Sequence, residues 1–366
     1  MKQETAYKGR LIPVLFSFAH LLASTILSKN LSLSGLISGI SLLVLTTFQC
    51  GCQKTASPSE FSNLTKGEIT LELKLDDSYP QTCISTISVF SFNDDSLGRL
   101  DSYQLIKNIN DGKIRIGSSG GRKRIYVCCN LNLANAEVAQ ISTASDFEKL
   151  SFALENAQRE FPFMLGMTTT ETGGSVNSTI LLKPMVSEIV LNSIRCDFNG
   201  MAYEGENITD CKVYLINVNA QCHLYDSTYS ARRMINVGML NIDEVWKFKE
   251  PDIIYNEING EIGSEWRAEK ICMLCFQNFC EEESPGSPFT RMVVEGKVQG
   301  ETYYWPITIN RTNYGEGIRN NTRHVIDLTI RRKGGHDPDE ELKIEDCAIM
   351  MEMKEWEEKD GYTVRF

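Results

Sequence analysis

The chain has 366 residues, a net charge of −11, twelve cysteines and four histidines. Such an acidic chain has no general electrostatic attraction to nucleic acid or anionic lipid. The length suffices for two hydrophobic cores, and so few histidines leave little material for a His-based mechanism.

Residues 1–51 read as a leader rather than as fold. Two uncharged, largely apolar runs, Leu11–Leu27 and Leu31–Phe48, are separated by Lys29 and Asn30. Lys29, the second run and the small Gly51 supply, in order, the basic start, apolar core and cleavage position of a secretory signal peptide. The first run is an extra apolar segment at the short end of the roughly 17–25 residues that a membrane span requires. The stretch TFQCGCQK then presents Cys52 directly after Gly51. A lipoprotein signal ends this way, so Cys52 is the expected lipidation site, preferred to Cys50 after Gln49. Removing residues 1–51 takes away four basic residues and one acidic one, leaving a mature charge of about −14.

Residues 52–66 are polar and loop-like, a tether between lipid and fold. Alternation begins at GEITLELKL, where Ile69, Leu71, Leu73 and Leu75 share one face, the period of a half-buried strand. CISTISVFSF alternates less cleanly. Further strands are expected at RLDSYQLIKN, KIRIG and RKRIYVCC, separated by Asp-Asp, Asp-Gly and Gly-Gly turn signals. Cys128 and Cys129, adjacent in the last of these, are expected on opposite faces, with no bond between them. SDFEKLSFAL shifts to helical spacing, with Ser145 and Glu148 as a capping pair. SVNSTILLK returns to strand, and a domain boundary is expected near Lys183, giving β-sandwiches at 67–183 and 184–366.

In the second half, DCKVYLINVNA and EKICMLCFQNF read as strands on either side of a long polar connection from Tyr225 to Trp266. After the acidic loop EEESPGSP, the runs MVVEGKV and TYYWPITI form a hairpin across Val298-Gln299-Gly300-Glu301. Pro306 lacks an N–H, so the second of these strands belongs at an edge or a bulge. TRHVIDLTI follows, with His324, Ile326, Leu328 and Ile330 on one face. CAIMMEMK ends the series, with Cys347, Ile349, Met351 and Met353 on one face. These last residues also suit a helix: Ile344, Ala348 and Met351 lie at helical spacing, and Glu355 with Lys359 makes an i,i+4 pair.

No arrangement selects an enzyme. Cys272, Cys275 and Cys280 begin like a zinc half-site but lack a second pair. His324 on its apolar face reads as a structural residue. GSSGG leads into a strand rather than a helix, which makes it a turn and not a phosphate cradle. The DPDEE run lacks the spacing of a calcium loop, and nothing singles out a carboxylate pair for glycoside cleavage. No metal site or cofactor is therefore expected. Trp246, Trp266, Trp305 and Trp356 with Tyr303 and Tyr304 are the material from which a sugar-stacking surface would be built.

Taken in order, CFQNF, TRMVVEGKVQGETYYWPITI, IRNNTRHVIDLTI, DPD and the closing strand around KEW resemble the fimbrillin family, the subunits of type V pili of Bacteroidetes. GEITLEL and LLKPMVSEIVL extend the resemblance into the first half. It implies a mainly β chain of two transthyretin-like β-sandwich domains with short helical insertions, exported as an outer-membrane lipoprotein. It also implies a non-enzymatic pilus subunit serving adhesion. Its partners would be other pilus subunits, the outer membrane through the lipid anchor, and host or bacterial surface ligands. In that family a protease that cuts after arginine removes the first strand, and the groove accepts the C-terminal strand of a neighbour. On this resemblance Cys347, Ile349, Met351 and Met353 mark the donor strand, within 347–366. The sequence departs from the family in having no arginine from Gln53 to Gly98. That suits a subunit that keeps its tether, or one cut by another protease. The alternative expectation is a monomeric glycan-binding surface lipoprotein.

Overall fold

A computed structural model describes residues 67–75, 81–107, 113–225, 234–236, 242–279, 288–309, 317–340, 347–355 and 362–364. All fall within one compact unit, Leu64–Phe366. The signal peptide, the Leu11–Leu27 segment, Cys50, Cys52, the tether, Cys280 and Trp356 lie outside the described residues, and of 347–355 and 362–364 only the backbone is described.

The first half contains β1 (Gly67–Leu75), β2 (Ile87–Asn93), β3 (Leu100–Ile106), β4 (Lys113–Ser118) and β5 (Gly121–Cys129). After two short helices, α1 (Asn135–Val138) and α2 (Ala144–Glu148), come β6 (Ser151–Ala153), β7 (Met164–Thr172) and β8 (Ser175–Pro184). Seven of these strands form one sheet in the order β3-β2-β5-β7-β8-β1-β4. The sheet folds over itself, so that Ile69 and Leu71 of β1 share a core with Ile87, Val89, Ile125 and Val127 of β2 and β5.

The uneven alternation of CISTISVFSF has a physical cause, because β2 and β5 are covered on both faces. Phe90, Phe92, Tyr126 and Cys128 point away from the inner core and pack under the insertion after β5, against Ile141 and Phe147. Tyr126 Oη donates to Glu148 Oε1 at 2.5 Å, tying β5 to α2. Cys128 and Cys129 fall in different clusters, as adjacent residues of a strand must. The helical insertion itself differs from expectation. Its cap is Thr143 rather than Ser145: Thr143 Oγ1 accepts from the Asp146 N–H at 3.2 Å, and Asp146 Oδ2 accepts from the Thr143 N–H at 2.9 Å. Thr143 is the last extended residue, so its hydroxyl meets the first free N–H groups of the turn.

The second half contains β9 (Ser187–Cys196), β10 (Thr209–Ile216), β11 (Val218–Asn219), β12 (Gln221–His223) and β13 (Met234–Ile235). A short helix α3 (Ile242–Val245) follows, then β14 (Tyr255–Glu257), β15 (Arg267–Cys275), β16 (Arg291–Val298) and β17 (Glu301–Thr308). The last three strands are β18 (Thr322–Ile330), β19 (Cys347–Glu355) and β20 (Tyr362–Val364). A four-stranded sheet, β14-β10-β16-β17, faces a five-stranded one, β15-β9-β18-β19-β20, and one cluster of buried residues draws on both. The Tyr225–Trp266 stretch, read as a polar connection, contributes to this core: Val245, Phe248, Ile253, Ile254, Ile258 and Ile262 are all buried. Its apolar residues follow no regular period because, among the described residues, the segment passes through strand, helix and turn within a few residues of each other.

The two halves are stitched through β6 and β12, which pair antiparallel. Flanking bonds from Leu154 N to Ala220 O and from Leu224 N to Leu150 O extend the seam. Phe152 stacks on Phe163 at 3.7 Å beside it.

The expected hairpin turn is present: Gln299 and Gly300 both have positive φ, 54° and 82°, and Val298 faces Glu301, the backbone of a two-residue primed turn. Pro306 lies on β17, the edge of its sheet. That edge is covered by the segment after β18. Tyr304 and Gly335 exchange both backbone hydrogen bonds at 2.9 Å, and Trp305 Nε1 donates to Arg332 O at 2.9 Å. The close approach depends on Gly334, where a Cβ would stand 2.1 Å from the Tyr304 carbonyl oxygen. Backbone cannot step aside as a side-chain tip can, so Gly334→Ala is expected to lower stability by roughly 1–3 kcal/mol. Its urea midpoint should fall accordingly, and an unchanged midpoint would show that the strap is not packed this closely.

Candidate assembly interface

The C-terminal stretch with two competing local readings is a strand. β19 runs antiparallel along β18 in nine consecutive register pairs, from Thr322↔Glu355 to Ile330↔Cys347. Helical propensity is worth only tenths of a kcal/mol per residue. An open β18 edge would instead leave a row of N–H and C=O groups without partners. Cys347, Ile349, Met351 and Met353 stand opposite Ile330, Leu328, Ile326 and His324. Those four β18 residues have no exposed surface. β20 pairs in turn with β19, opposite Met351, Glu352 and Met353.

β18 is held on its other side by β9, in a parallel pairing from Arg323↔Glu188 to Ile330↔Cys196. The outward face of this pair is polar and cross-linked. Arg323 pairs with Glu188, which also accepts from the Cys272 thiol. Asp327 accepts from Asn192 Nδ2 at 2.8 Å and from Ser193 Oγ. Arg195 Nε donates to Thr329 Oγ1 at 3.2 Å. One face buried and one face bonded leave β18 a rigid template whose remaining edge carries β19.

A second strand in the first half has a related position. β1 sits between two neighbours, parallel to β8 over eight register pairs and antiparallel to β4 over six. Its Ile69 and Leu71 are wholly buried among Ile114, Ile116, Ile180 and Leu182. Were β1 withdrawn, the β8 and β4 edges and these apolar pockets would open together. β1 and β19 are each nine residues long, and each carries four alternate apolar positions, Ile69 to Leu75 in one and Cys347 to Met353 in the other.

No protein-family model matches the sequence, and no curated protein matches it either. Solved structures do. A proposed cell adhesion protein from Bacteroides eggerthii superposes with a TM-score of 0.60 at 15% identity, over 80% of this chain and 96% of that one. A fimbrilin from Porphyromonas gingivalis gives 0.57 at 13% identity, over 79% of this chain and 97% of the other. A tip fimbrial protein from the same organism, with a C-terminal truncation, gives 0.50 at 12% identity, over 80% and 100%. The fold is that of the fimbrillins.

Within this fimbrillin fold the residues considered for chemistry scatter. Trp305 is core, Trp246 is exposed, and Trp266 is half-exposed under the Arg195 guanidinium at 4.7 Å. Tyr303 lies against His336 at 5.3 Å on the β17 strap. Among the described residues these aromatics do not converge on one face. The eight described cysteines are free thiols, and all but Cys272 are buried. Burial pushes the Cys211, Cys222 and Cys275 thiols up to about 12, the behaviour of small apolar core residues rather than of nucleophiles. Among the described residues no group of three or more His, Cys, Asp or Glu is arranged to hold a metal. Two features escaped the sequence reading, the Glu188–Arg323–Cys272 cross-link and a buried lysine, Lys123. Strand pairing alone brings their partners together.

His324 lies beneath the β19 pairing, with Nε2 3.3 Å from Thr322 Oγ1. Nδ1 meets no polar partner. Burial holds its imidazole down at about 4, against an ordinary value near 6.5. The unfolded chain therefore takes up a proton below about pH 6.5 while the folded chain does not until about pH 4. Stability falls as pH drops through that window, by about 1.4 kcal/mol per pH unit at most. His324→Gln should shrink the stability loss between pH 7 and pH 4.5 by about 2 kcal/mol, as read from chemical denaturation at the two pH values. An unchanged loss would show that another group sets the acid limb.

Proposed function

We propose that this chain is a lipid-anchored, non-enzymatic subunit of a cell-surface pilus, held in the outer membrane through Cys52 and joined to its neighbours by strand exchange in the service of adhesion. The observation that carries the reading is the match between β1 and β19 inside a fold shared with fimbrial proteins. A strand occupying a two-sided slot in the first half and a C-terminal strand have the same length and the same apolar period.

The physics is β-augmentation. Withdrawal of β1 frees the edges of β8 and β4 at once, and a donor regains backbone hydrogen bonds on both sides. Alternate apolar side chains then refill the space left by Ile69 and Leu71. Cys347, Ile349, Met351 and Met353 of a neighbouring subunit supply such a stripe. Here the same strand runs along its own β18 by backbone pairing, from which it would be released when a slot is offered. The absence of arginine from Gln53 to Gly98 favours a subunit that retains its tether, as a basal anchor does, or processing by a protease of other specificity.

Deleting Cys347–Phe366 is expected to leave an exported chain that no longer enters polymers, scored by high-molecular-weight ladders on unheated gels. Ladders of undiminished length would overturn strand donation. Cys52→Ala should move the protein from the detergent phase to the aqueous phase or arrest its maturation. Unaltered partitioning would remove the lipid anchor from the reading while leaving strand exchange standing.

A further inference from the structure

Lys123 is completely buried, an unusual state for lysine unless it is paired. It lies on β5 directly opposite Asn93 of β2. Its Nζ is 2.5 Å from Asn93 Oδ1, 2.6 Å from Ser119 Oγ and 3.3 Å from Asp101 Oδ2. All three ammonium protons thus have a destination. Asp101, on β3, is itself fixed: Ser118 Oγ donates to Oδ2 at 3.0 Å, the Ser119 N–H donates to it at 3.1 Å, and Ser119 Oγ donates to Oδ1. Burial by itself would raise the Asp101 carboxyl, but the hydrogen bonds from Ser119 and Ser118 outweigh it and hold the group below the usual range, as a carboxylate.

A buried ion pair of this kind is a poor device for stability, since apolar residues of similar volume often serve as well or better. Its composition has another use. An amine, a primary amide and a carboxylate meet here, Lys123 buried and Asn93 and Asp101 partly so, with the amide carbon one bond of about 1.2 Å behind the oxygen that the amine touches. Where reacting atoms are held about 3–3.5 Å apart and aligned, proximity replaces a bimolecular encounter and raises effective concentration to roughly 10⁵–10⁸ M.

We propose that Lys123 and Asn93 join in an intramolecular isopeptide bond, with Asp101 as the proton-transfer residue. The Lys123 ammonium gives one proton to the Asp101 carboxylate, and the neutral Nζ adds to Asn93 Cγ. The added nitrogen passes a proton to Asn93 Nδ2, the Cγ–Nδ2 bond breaks, and ammonia leaves. Asp101 returns its proton to the departing ammonia and is again a carboxylate. The new bond is an Nζ–Cγ amide, ammonium is the sole by-product, and no oxidant or other reactant enters. The product ties β2 to β5 covalently in the centre of the first-half sheet, closing the chain between residues 93 and 123. A subunit carrying tension along a filament gains a strand pair that cannot slide or peel.

The test is peptide mapping of the denatured full-length protein by mass spectrometry. The peptide bearing Asn93 is expected joined to the one bearing Lys123, lighter than their sum by one ammonia. Separate peptides at full mass overturn the proposal. So does loss of ammonia on an unjoined Asn93 peptide, which would mean a cyclic imide with Asp94. Asn93→Asp should produce the same link with loss of one water instead, an outcome that a merely structural contact would not produce. Asp101→Asn, confirmed as folded by circular dichroism, is expected to leave both residues unjoined, and a link formed at the wild-type rate would remove Asp101 from the reaction. Lys123→Arg supplies the unlinked reference mass.

Discussion

Backbone pairing at the sheet edges is the constraint on which the rest of the structure depends. A buried strand edge without partners costs free energy at every N–H and C=O, and this chain fills its edges with segments from its own extremities. β1, the first described strand, closes the gap between β8 and β4. β19, from the C-terminal end, closes the edge of β18. The β17 edge is covered by the strap through Gly334 and Gly335.

The two halves solve burial differently. In the second, two sheets enclose one core, and the outward face of β9 and β18 is bonded through Glu188, Arg323 and Asp327. In the first, the sheet folds on itself and is then covered again by the insertion after β5, so β2 and β5 lie in the middle of three layers. That central position buries polar side chains on both strands: Lys123 and Tyr126 of β5 are bonded within the protein, whereas Ser88 Oγ and Ser91 Oγ of β2 meet no partner among the described residues. The Lys123, Asp101 and Ser119 cluster sits at one end of this layer, and Tyr126 with Glu148 lies towards the helical insertion. The seam between β6 and β12 couples the halves by backbone bonds rather than by a linker alone.

Much of this was legible in the residues. Period-two runs located most of the long strands, and Gln299-Gly300 and Pro306 announced their turn and their edge. The adjacent Cys128 and Cys129 declared opposite faces. The resemblance carried by CFQNF to KEW anticipated the fold that the solved structures share. Less legible were the strands buried on both faces, where alternation fades, and the Thr143 cap, displaced by two residues because Ser145 already lies inside the turn. The Tyr225–Trp266 segment concealed its core residues because no single period runs through it.

By itself, then, the sequence determined a mainly β chain, its turns, and an apolar stripe at Cys347, Ile349, Met351 and Met353. All of these are local properties, encoded by the period and chemistry of neighbouring residues. Only the tertiary structure decided that the stripe belongs to a strand, because the choice rests on the unpaired edge of β18. Only the tertiary structure set Lys123 against Asn93 and Asp101, or placed β1 between β8 and β4. The physical reason is the same in each case. Hydrogen bonds between strands join residues far apart in the chain, and no local pattern records which edge a strand will meet.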